Sequence, residues 1–585
     1  MGIWPFKTRG CSSPFNSPSL QPEAEYPGGL RCRDAPAGLA ALALLLLLLL
    51  LCARRCAPAA GGGRAGPRWL LVLRHRLALR ALGWAAGRQR RGLERELEAG
   101  AVRRSQERLL RRLLGGAGAP EPDPETFRRR RPLVGPGGAG GESPALRPGL
   151  RALLLSACSS EPPLQGSVLY LDVLGRAHPE ALSPLGTARF SWAPGRSLPA
   201  AAWPLPTLYC APPAEAGTVP SRAVALYVQL LFALRQRALR VLEAGLVSEL
   251  YDALGLLRAG WEGLAQDLAS GKLSRRLELP AETRRRLDAR LAPDTARAAV
   301  LRAECARGWD GLARRLWPRL RVVVAAEPSS EHFYGDALRA AECQGLPFYS
   351  PFYGAAGALL GVNLWPEQPD TRYLLCSGWA FCEFLPVGPG SQGPPETLLL
   401  SDVCQGQEYE LVLTAQPGLY RCRVGEVLKV AGFHDRCPVV QPVRRLSQTL
   451  SVRGEGIPEE GFYRSLRRAV ALWPGARLVD YVCAESSLLG ASSGASAPHY
   501  QVFVELQGLR DLSEGQRYKL DQCLQEDFPV YKSFRFKGSV GPLRLHLVAA
   551  GAFMELRDAV GLPAPMARVL RETRPLHFIQ SRVIS

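Results

Sequence analysis

The segment that most constrains this chain runs from residue 409 to residue 433. Tyr409-Glu410-Leu411-Val412-Leu413 alternates polar and apolar side chains, as a half-buried strand does. Gly418 interrupts the pattern. A second alternation then passes through Leu419-Tyr420-Arg421-Cys422-Arg423-Val424-Gly425-Glu426-Val427-Leu428-Lys429-Val430 and ends at Gly432. The spacing predicts a β-hairpin-like unit with a charged residue at its bend. That geometry can offer a carboxylate and an arginine to a ligand from a rigid support. By period alone the plainer reading is ahead, because most hairpins with a Gly and a Glu at the turn are only hairpins.

The wording of the segment adds to its period. Tyr420-Arg421-x-Arg423-Val424-Gly425-Glu426-x-Leu428-x-Val430-x-Gly432-Phe433-His434 resembles the third nucleotide motif of the auxin-responsive GH-three acyl-acid amido synthetase family, part of the adenylate-forming superfamily. In that family an Asp follows Val-Gly and holds the ribose hydroxyls of ATP. Glu426 stands there, with its carboxylate one methylene further out. A second segment, Tyr353-Gly354-Ala355-Ala356-Gly357 followed by Gly361-Val362-Asn363-Leu364, resembles the family's Tyr-Ala-Ser-Ser-Glu-x-x-x-Gly-x-Asn-Leu. The resemblance implies that Tyr353 stacks near the adenine and that Arg421, Arg423 and Glu426 line a degenerate ATP site. It also implies that two hydroxyls (Ala355, Ala356) and a Mg²⁺-assisting carboxylate (Gly357) have gone. Glu383-Phe384-Leu385-Pro386 fits a framework strand whose Glu is structural. Trp261 to Ser274 and the tail Ser581-Arg582-Val583-Ile584-Ser585 match further framework segments in the same order.

An adenylating enzyme needs backbone N–H groups around the ATP phosphates, a carboxylate for Mg²⁺ and a cation for the departing charge. Two stretches are candidates for the phosphate loop: Ser183-Pro184-Leu185-Gly186-Thr187 and Ser191-Trp192-Ala193-Pro194-Gly195-Arg196. Neither reproduces the family's Ser-Ser-Gly-Thr. Pro removes an N–H, and Leu or Trp cannot sit where backbone must approach phosphate. The family's adenylating Lys falls at Pro565, with no Lys beside it. No catalytic residue and no metal ligand is assigned.

The rest of the chain is read for organisation. Its 585 residues suit one large and one smaller domain. The net charge of +20 is mostly Arg, and it is not interleaved with stacking aromatics, which argues against single-strand nucleic-acid binding. The 15 cysteines form no Cys-x-x-Cys pair and no zinc spacing. Residues 1–34 read as a disordered leader. Residues 35–53, with an unbroken Leu run from Leu44 to Leu51, read as an uncleaved membrane anchor rather than a signal peptide, because Arg54 and Arg55 precede any cleavage site. The heavier basic flank after that segment argues for a cytosolic body on an endoplasmic reticulum or nuclear-envelope membrane; a lumenal or secretory placement is the rival.

Residues 54–150 read as Arg-rich helices, Trp69 to Leu114 among them, and a linker. Residues 151–445 form the large domain and residues 446–585 the small one. Two long helices are expected over 223–245 and 246–268, a third over 304–315, and a buried strand at Val322-Val323-Val324-Ala325-Ala326. In the small domain the pattern gives a helix at 459–472, strands at 479–483 and 499–506, and a helix at 513–525. Gly490-Ala491-Ser492-Ser493-Gly494 matches Gly-x-Ser-x-Gly literally, but it lies in a Ser/Gly run and reads as a loop.

The expected fold is therefore α/β: an adenylate-forming-like large domain with mixed sheets, a smaller C-terminal α/β cap, and an N-terminal membrane segment. Three functional readings follow. The first is a membrane-anchored pseudoenzyme or binding protein, since the phosphate loop, Gly357, Glu426 and Pro565 all depart from the family. Electrostatic stabilisers are each worth a few kcal/mol, so losing several together leaves little rate. Its partners are the membrane and proteins of unknown identity. The second is an active or divergent acid–amino acid ligase, which would use ATP and Mg²⁺ with a carboxylic acid and an amino acid. The third is a basic nucleic-acid binder, whose binding would fall steeply with salt.

Overall fold

Short apolar runs buried on both faces build the first sheet. The computed structural model describes residues 101–115, 133–134, 173–174, 177–178, 185–192, 210–356, 358–368, 370–387, 396–415, 420–489, 497–560 and 565–585. Strands β1 (Thr187–Phe190), β2 (Val241–Leu246), β3 (Val322–Ala326) and β4 (Phe348–Tyr349) lie side by side in that order, all parallel. Val322, Val323 and Val324 are fully buried, as a central parallel strand covered by helices on each face requires.

The crossovers are helical. Helix α1 (Ala101–Gly115) precedes this sheet; α2 (Arg222–Arg235) leads into β2, and α3 (Val247–Ser270) leaves it. Ser221 caps α2 by accepting from Val224 N, and Gly271, at φ +67°, ends α3 in the left-handed conformation. The run 223–268 expected to be two consecutive helices thus contains a strand, Val241–Leu246. Its side chains are buried on both faces, so it carries no alternation to separate it from helix. The expected helix over 304–315 is divided between α4 (Thr295–Ala306), capped by Asp294, and the short α5 (Leu312–Leu316). Helix α6 (His332–Ala340) follows β3.

The second sheet holds the segment of departure. Its strands are β5 (Phe352–Ala355), β6 (Ala358–Val362), β7 (Tyr373–Leu375), β8 (Phe381–Pro386), β9 (Leu398–Leu399), β10 (Glu408–Ala415), β11 (Tyr420–His434) and β12 (Cys437–Arg445). The order is β9-β8-β10-β11-β12-β7-β6-β5, antiparallel throughout, with Leu133–Val134 added parallel to β11. β10 and β11 are the expected hairpin. Glu426, however, is not at the bend. It lies in the middle of β11, just after Gly425, whose φ of +74° marks a bulge where two strands change register. Gln106 of α1 docks that helix on this sheet: its amide donates to Ala380 O at 2.9 Å and to Ser377 O, and accepts from Cys382 N at 3.1 Å.

The C-terminal sheet is mixed. β13 (Arg477–Glu485) and β14 (Tyr500–Gln507) are antiparallel; β15 (Arg544–Leu547) and β16 (Val569–Leu570) flank them in parallel. Around them lie α7 (Glu459–Ala471), α8 (Glu514–Asp527), α9 (Pro529–Phe536), α10 (Ala552–Val560) and α11 (Thr573–Gln580). One continuous apolar cluster joins the parallel sheet to this region, from Ala188 and Phe190 to Val502, Val504 and Val569.

Among the described residues no helix is long and apolar enough to cross a membrane; residues 35–53 lie outside the described ones. So do Arg128–Arg131, the Gly490–Gly494 loop, and, of the expected helical stretch 69–114, everything before residue 101.

Candidate functional site

Three strands of the second sheet bring Tyr353, Glu426 and Arg445 together. Register pairs Glu426 with Arg445 across β11 and β12. Arg445 Nε donates to Glu426 Oε1 at 2.8 Å, and Tyr353 Oη donates to Glu426 Oε2 at 2.6 Å. Both carboxylate oxygens are therefore held from within the protein, in a residue only 7% exposed. Burial, reinforced by the neighbouring carboxylate, pushes the Tyr353 phenol well above its usual range, so it stays a donor at any physiological pH. The Tyr353 ring lies 5.5 Å from that of Tyr373 in a tilted arrangement. Tyr373 in turn shares a 2.7 Å hydrogen bond with Ser350. Asn363 is structural: its side chain donates to Ser350 O and accepts from Trp365 N.

Arg421 and Arg423 do not join this group. Successive side chains of a strand point to opposite faces, and these two lie on the face away from Glu426. Arg421 forms a two-pronged pair with Glu383 at 2.8 and 2.9 Å and donates to Thr397 Oγ1, all three side chains being buried. Arg423 grips Glu410 of β10, its Nε at 3.0 Å from both oxygens. These arginines fasten β11 to its neighbours.

The other motif positions are equally informative. Ala355 is buried, and Ala356 occupies the turn after β5 at φ +47°, a conformation that costs a non-glycine residue energy. Gly357 lies outside the described residues, as do Ser183, Pro184 and residues 193–196. Ser191 follows the C-terminal end of β1, where parallel sheets place ligand loops. Its N–H and C=O are both taken by the Gln229 amide, at 2.9 and 2.6 Å. Trp192 Nε1 is spent on Val219 O. Among the described residues no three His, Cys, Asp or Glu side chains are grouped to hold a metal ion.

A larger polar constellation escaped sequence reasoning. Asp252 of α3 receives Arg222 of α2 and Arg557 of α10. Asp480 of β13 receives Arg557 at 2.6 Å, Tyr334 Oη at 2.8 Å and Arg568. Arg568, fully buried, also donates to Ser330 O and Tyr481 O, and its guanidinium carbon lies 4.6–5.2 Å from the ring centroids of Tyr334, Tyr481 and Phe333. Burial alone would raise the Asp480 carboxyl; the guanidiniums of Arg568 and Arg557 outweigh it and hold it below its ordinary value. Pro565, the position at which the sequence resemblance would put the family's adenylating Lys, is three residues from Arg568. The cation nearest that position in the chain is thus turned inward.

The sequence matches three family models in order: the GH3 family N-terminal domain over residues 191–348, the central domain over 373–445 and the C-terminal domain over 460–563. It is 44% identical over 538 residues to a GH3 domain-containing protein of Homo sapiens, covering 88% of this chain and 94% of that one. The chain belongs to the GH3 family. It is 33% identical to indole-3-acetic acid-amido synthetase GH3.8 of Oryza sativa subsp. indica, over 57% of this chain and 56% of the rice protein. The solved structure of GH3.15 acyl acid amido synthetase has the same mixed α/β fold, with a TM-score of 0.59 over 72% of this chain and 77% of that one, at 24% identity. In GH3 terms, the Tyr353–Glu426–Arg445 group is built from β5 and the central domain. The buried arginines tie the N-terminal domain (Arg222, Asp252, Tyr334) to the C-terminal domain (Asp480, Arg557).

Proposed function

We propose that this GH3 protein keeps the acyl-acid amido synthetase fold as a membrane-anchored binding protein that does not adenylate. The observation carrying this reading is the closed Tyr353–Glu426–Arg445 group. The carboxylate at the ribose-binding position is longer than the family's Asp, and its extra reach is used inside the protein, on a tyrosine and an arginine. The alanines at 355 and 356 supply no hydroxyl, and Ser191 has its backbone bound by Gln229. Among the described residues the donor set does not fit Mg²⁺–ATP, so no reaction step is assigned to it. The apolar stretch 35–53, followed by Arg54 and Arg55, supports an anchor with the body cytosolic, on endoplasmic reticulum or nuclear-envelope membrane. Partners would be the membrane and a protein.

The competing reading is a working ATP-dependent acid–amino acid ligase. It is favoured by the family's three domains in order and by the plant relatives, which are named as amido synthetases of indole-3-acetic acid. Calorimetry of the full-length protein with ATP, with and without Mg²⁺, decides between them. The expected result is no heat of binding at millimolar ATP, an affinity weaker than about −4 kcal/mol. ATP binding that Mg²⁺ tightens, followed by amide formation from an acid and an amino acid, would overturn the proposal.

A further inference from the structure

The most exposed aromatic side chain of the described residues is Phe536, at 93%, on the last turn of α9. It is not a frayed end. α9 begins with Pro529 at its first position, where no N–H is needed, and Lys537 N bonds Ser533 O at 3.0 Å. Gly538, at φ +67°, turns the chain away. Beneath the helix, Tyr531 is fully buried. Its hydroxyl donates to Asp521 of α8 at 2.6 Å, and its ring stacks on Tyr500. Arg535 donates to the same Asp521 at 3.0 Å. The inner side of α9 is thus rigidly fixed, and Phe536 is held outward by the packing below it.

Its surroundings are not random. Nine large apolar side chains are exposed among the described residues, and three of them, Tyr518, Val530 and Phe536, fall on α8 and α9. The chain has few lysines among its many arginines: Lys7, Lys272, Lys429, Lys519, Lys532 and Lys537. Half of these lie on or beside the same two helices. Lys532 precedes Phe536 by one helical turn, Lys537 follows it directly, and Lys519 follows Tyr518, all exposed. Tyr531 and Arg535 of α9 both bond Asp521 of α8, so the exposed Tyr518 and Phe536 stand on adjoining helices. Of the acidic side chains on α8, Glu526 and Asp527 pair with Arg468 of α7, at 2.8 and 3.1 Å, and Asp521 pairs with Arg535; Glu514 is exposed one turn before Tyr518.

Apolar rings rimmed by exposed ammonium groups on a fixed helix are the pattern of a face that rests in an anionic lipid headgroup layer, with the ring at the acyl boundary and the lysines among the phosphates. We infer that the α8–α9 face of the C-terminal region docks on an anionic bilayer surface through Phe536, Tyr518 and Val530, with Lys519, Lys532 and Lys537 as electrostatic contacts. A net charge of +20 adds long-range attraction to the same kind of surface. The inference is independent of the anchor at 35–53, since it rests on a different part of the chain.

Hydrogen exchange of full-length protein, bound to vesicles of phosphatidylcholine alone or with one-third phosphatidylserine, tests it. Amides of residues 529–538 should exchange more slowly on the anionic vesicles than on the neutral ones, and salt should reverse the difference. Phe536→Ser with Lys532→Glu and Lys537→Glu should abolish it. Each lysine lost should weaken anionic-vesicle binding by roughly fivefold at low salt. These side chains are exposed, so an unchanged melting temperature separates lost docking from lost fold. Equal exchange on both vesicle types, or protection that survives in the triple variant, would overturn the inference. So would protection produced by RNA without vesicles, which would make this a nucleic-acid face. Failure of the full chain to join neutral vesicles would count against the anchor alone.

Discussion

Asp480→Ala isolates what the buried arginines contribute. In the folded protein Asp480 is the carboxylate partner of Arg568 and one of two carboxylates gripping Arg557. Removing it leaves Arg557 with Asp252 but leaves Arg568, fully buried, without its carboxylate hydrogen bond, held by the carbonyls of Ser330 and Tyr481, three aromatic faces and the more distant Glu331 and Glu459. An uncompensated buried charge costs about 3–5 kcal/mol. That is a large part of the 5–15 kcal/mol by which folded domains are usually stable. Urea unfolding read by tryptophan fluorescence is the assay, because Trp317 and Trp473 are both fully buried and become exposed when the core opens. Replacing both members, Asp480→Ala with Arg568→Met, removes the stranded charge. It should recover at least about 1.5 kcal/mol of the loss expected from adding the two single variants. If Asp480→Ala unfolds within about 0.5 kcal/mol of the parent, or if the two substitutions simply add, the network is not what joins the N-terminal and C-terminal GH3 domains.

Further outcomes are expected. Arg421→Met should cost about 3 kcal/mol in urea, because it strands the fully buried Glu383, whereas the half-exposed Arg423, changed to Ala, should cost less. Equal losses would contradict the separate surroundings of the two. Gly425→Ala should cost about 1–2 kcal/mol in the same assay, from the positive φ at the bulge, and a neutral substitution would mean the bulge relaxes. Glu505 accepts from Gly551 N and Phe553 N at the start of α10, while burial pushes its carboxyl up to about 7. Its folded pKa is raised, so its contribution is complete below about 4.5 and is lost as pH rises through about 7. Thermal stability should fall across pH 5 to 8, and Glu505→Gln should flatten that slope.

The sequence exposed the fold wherever a pattern was local. Val322–Ala326 announced itself as an apolar run, Glu459–Ala471 as an amphipathic helix and Glu514–Asp527 as a helix begun at Ser513. Val241–Leu246 did not, because a strand buried on both faces inside a Leu- and Ala-rich stretch has no period to betray it. At the site, wording singled out Tyr353 and Glu426 as members of one family motif set, and they are in contact. Wording could not show that Arg421 and Arg423 point the other way, since their partners Glu383 and Glu410 are set by strand register rather than by neighbours in the chain. The ion network left no sequence trace at all. Asp252, Asp480, Arg557 and Arg568 are ordinary charged residues until the fold brings them together.

The pairing of Asp252 with Arg557 also spans 305 residues of chain. At the usual 5–20 residues per second of synthesis, roughly 15–60 s pass between the two leaving the peptidyl-transferase centre. Throughout that interval Asp252 has Arg222 of α2 as its partner but lacks Arg557. The link between the N-terminal and C-terminal GH3 regions is therefore among the latest contacts a nascent chain can make, and the first domain must stand without it while the rest is synthesised.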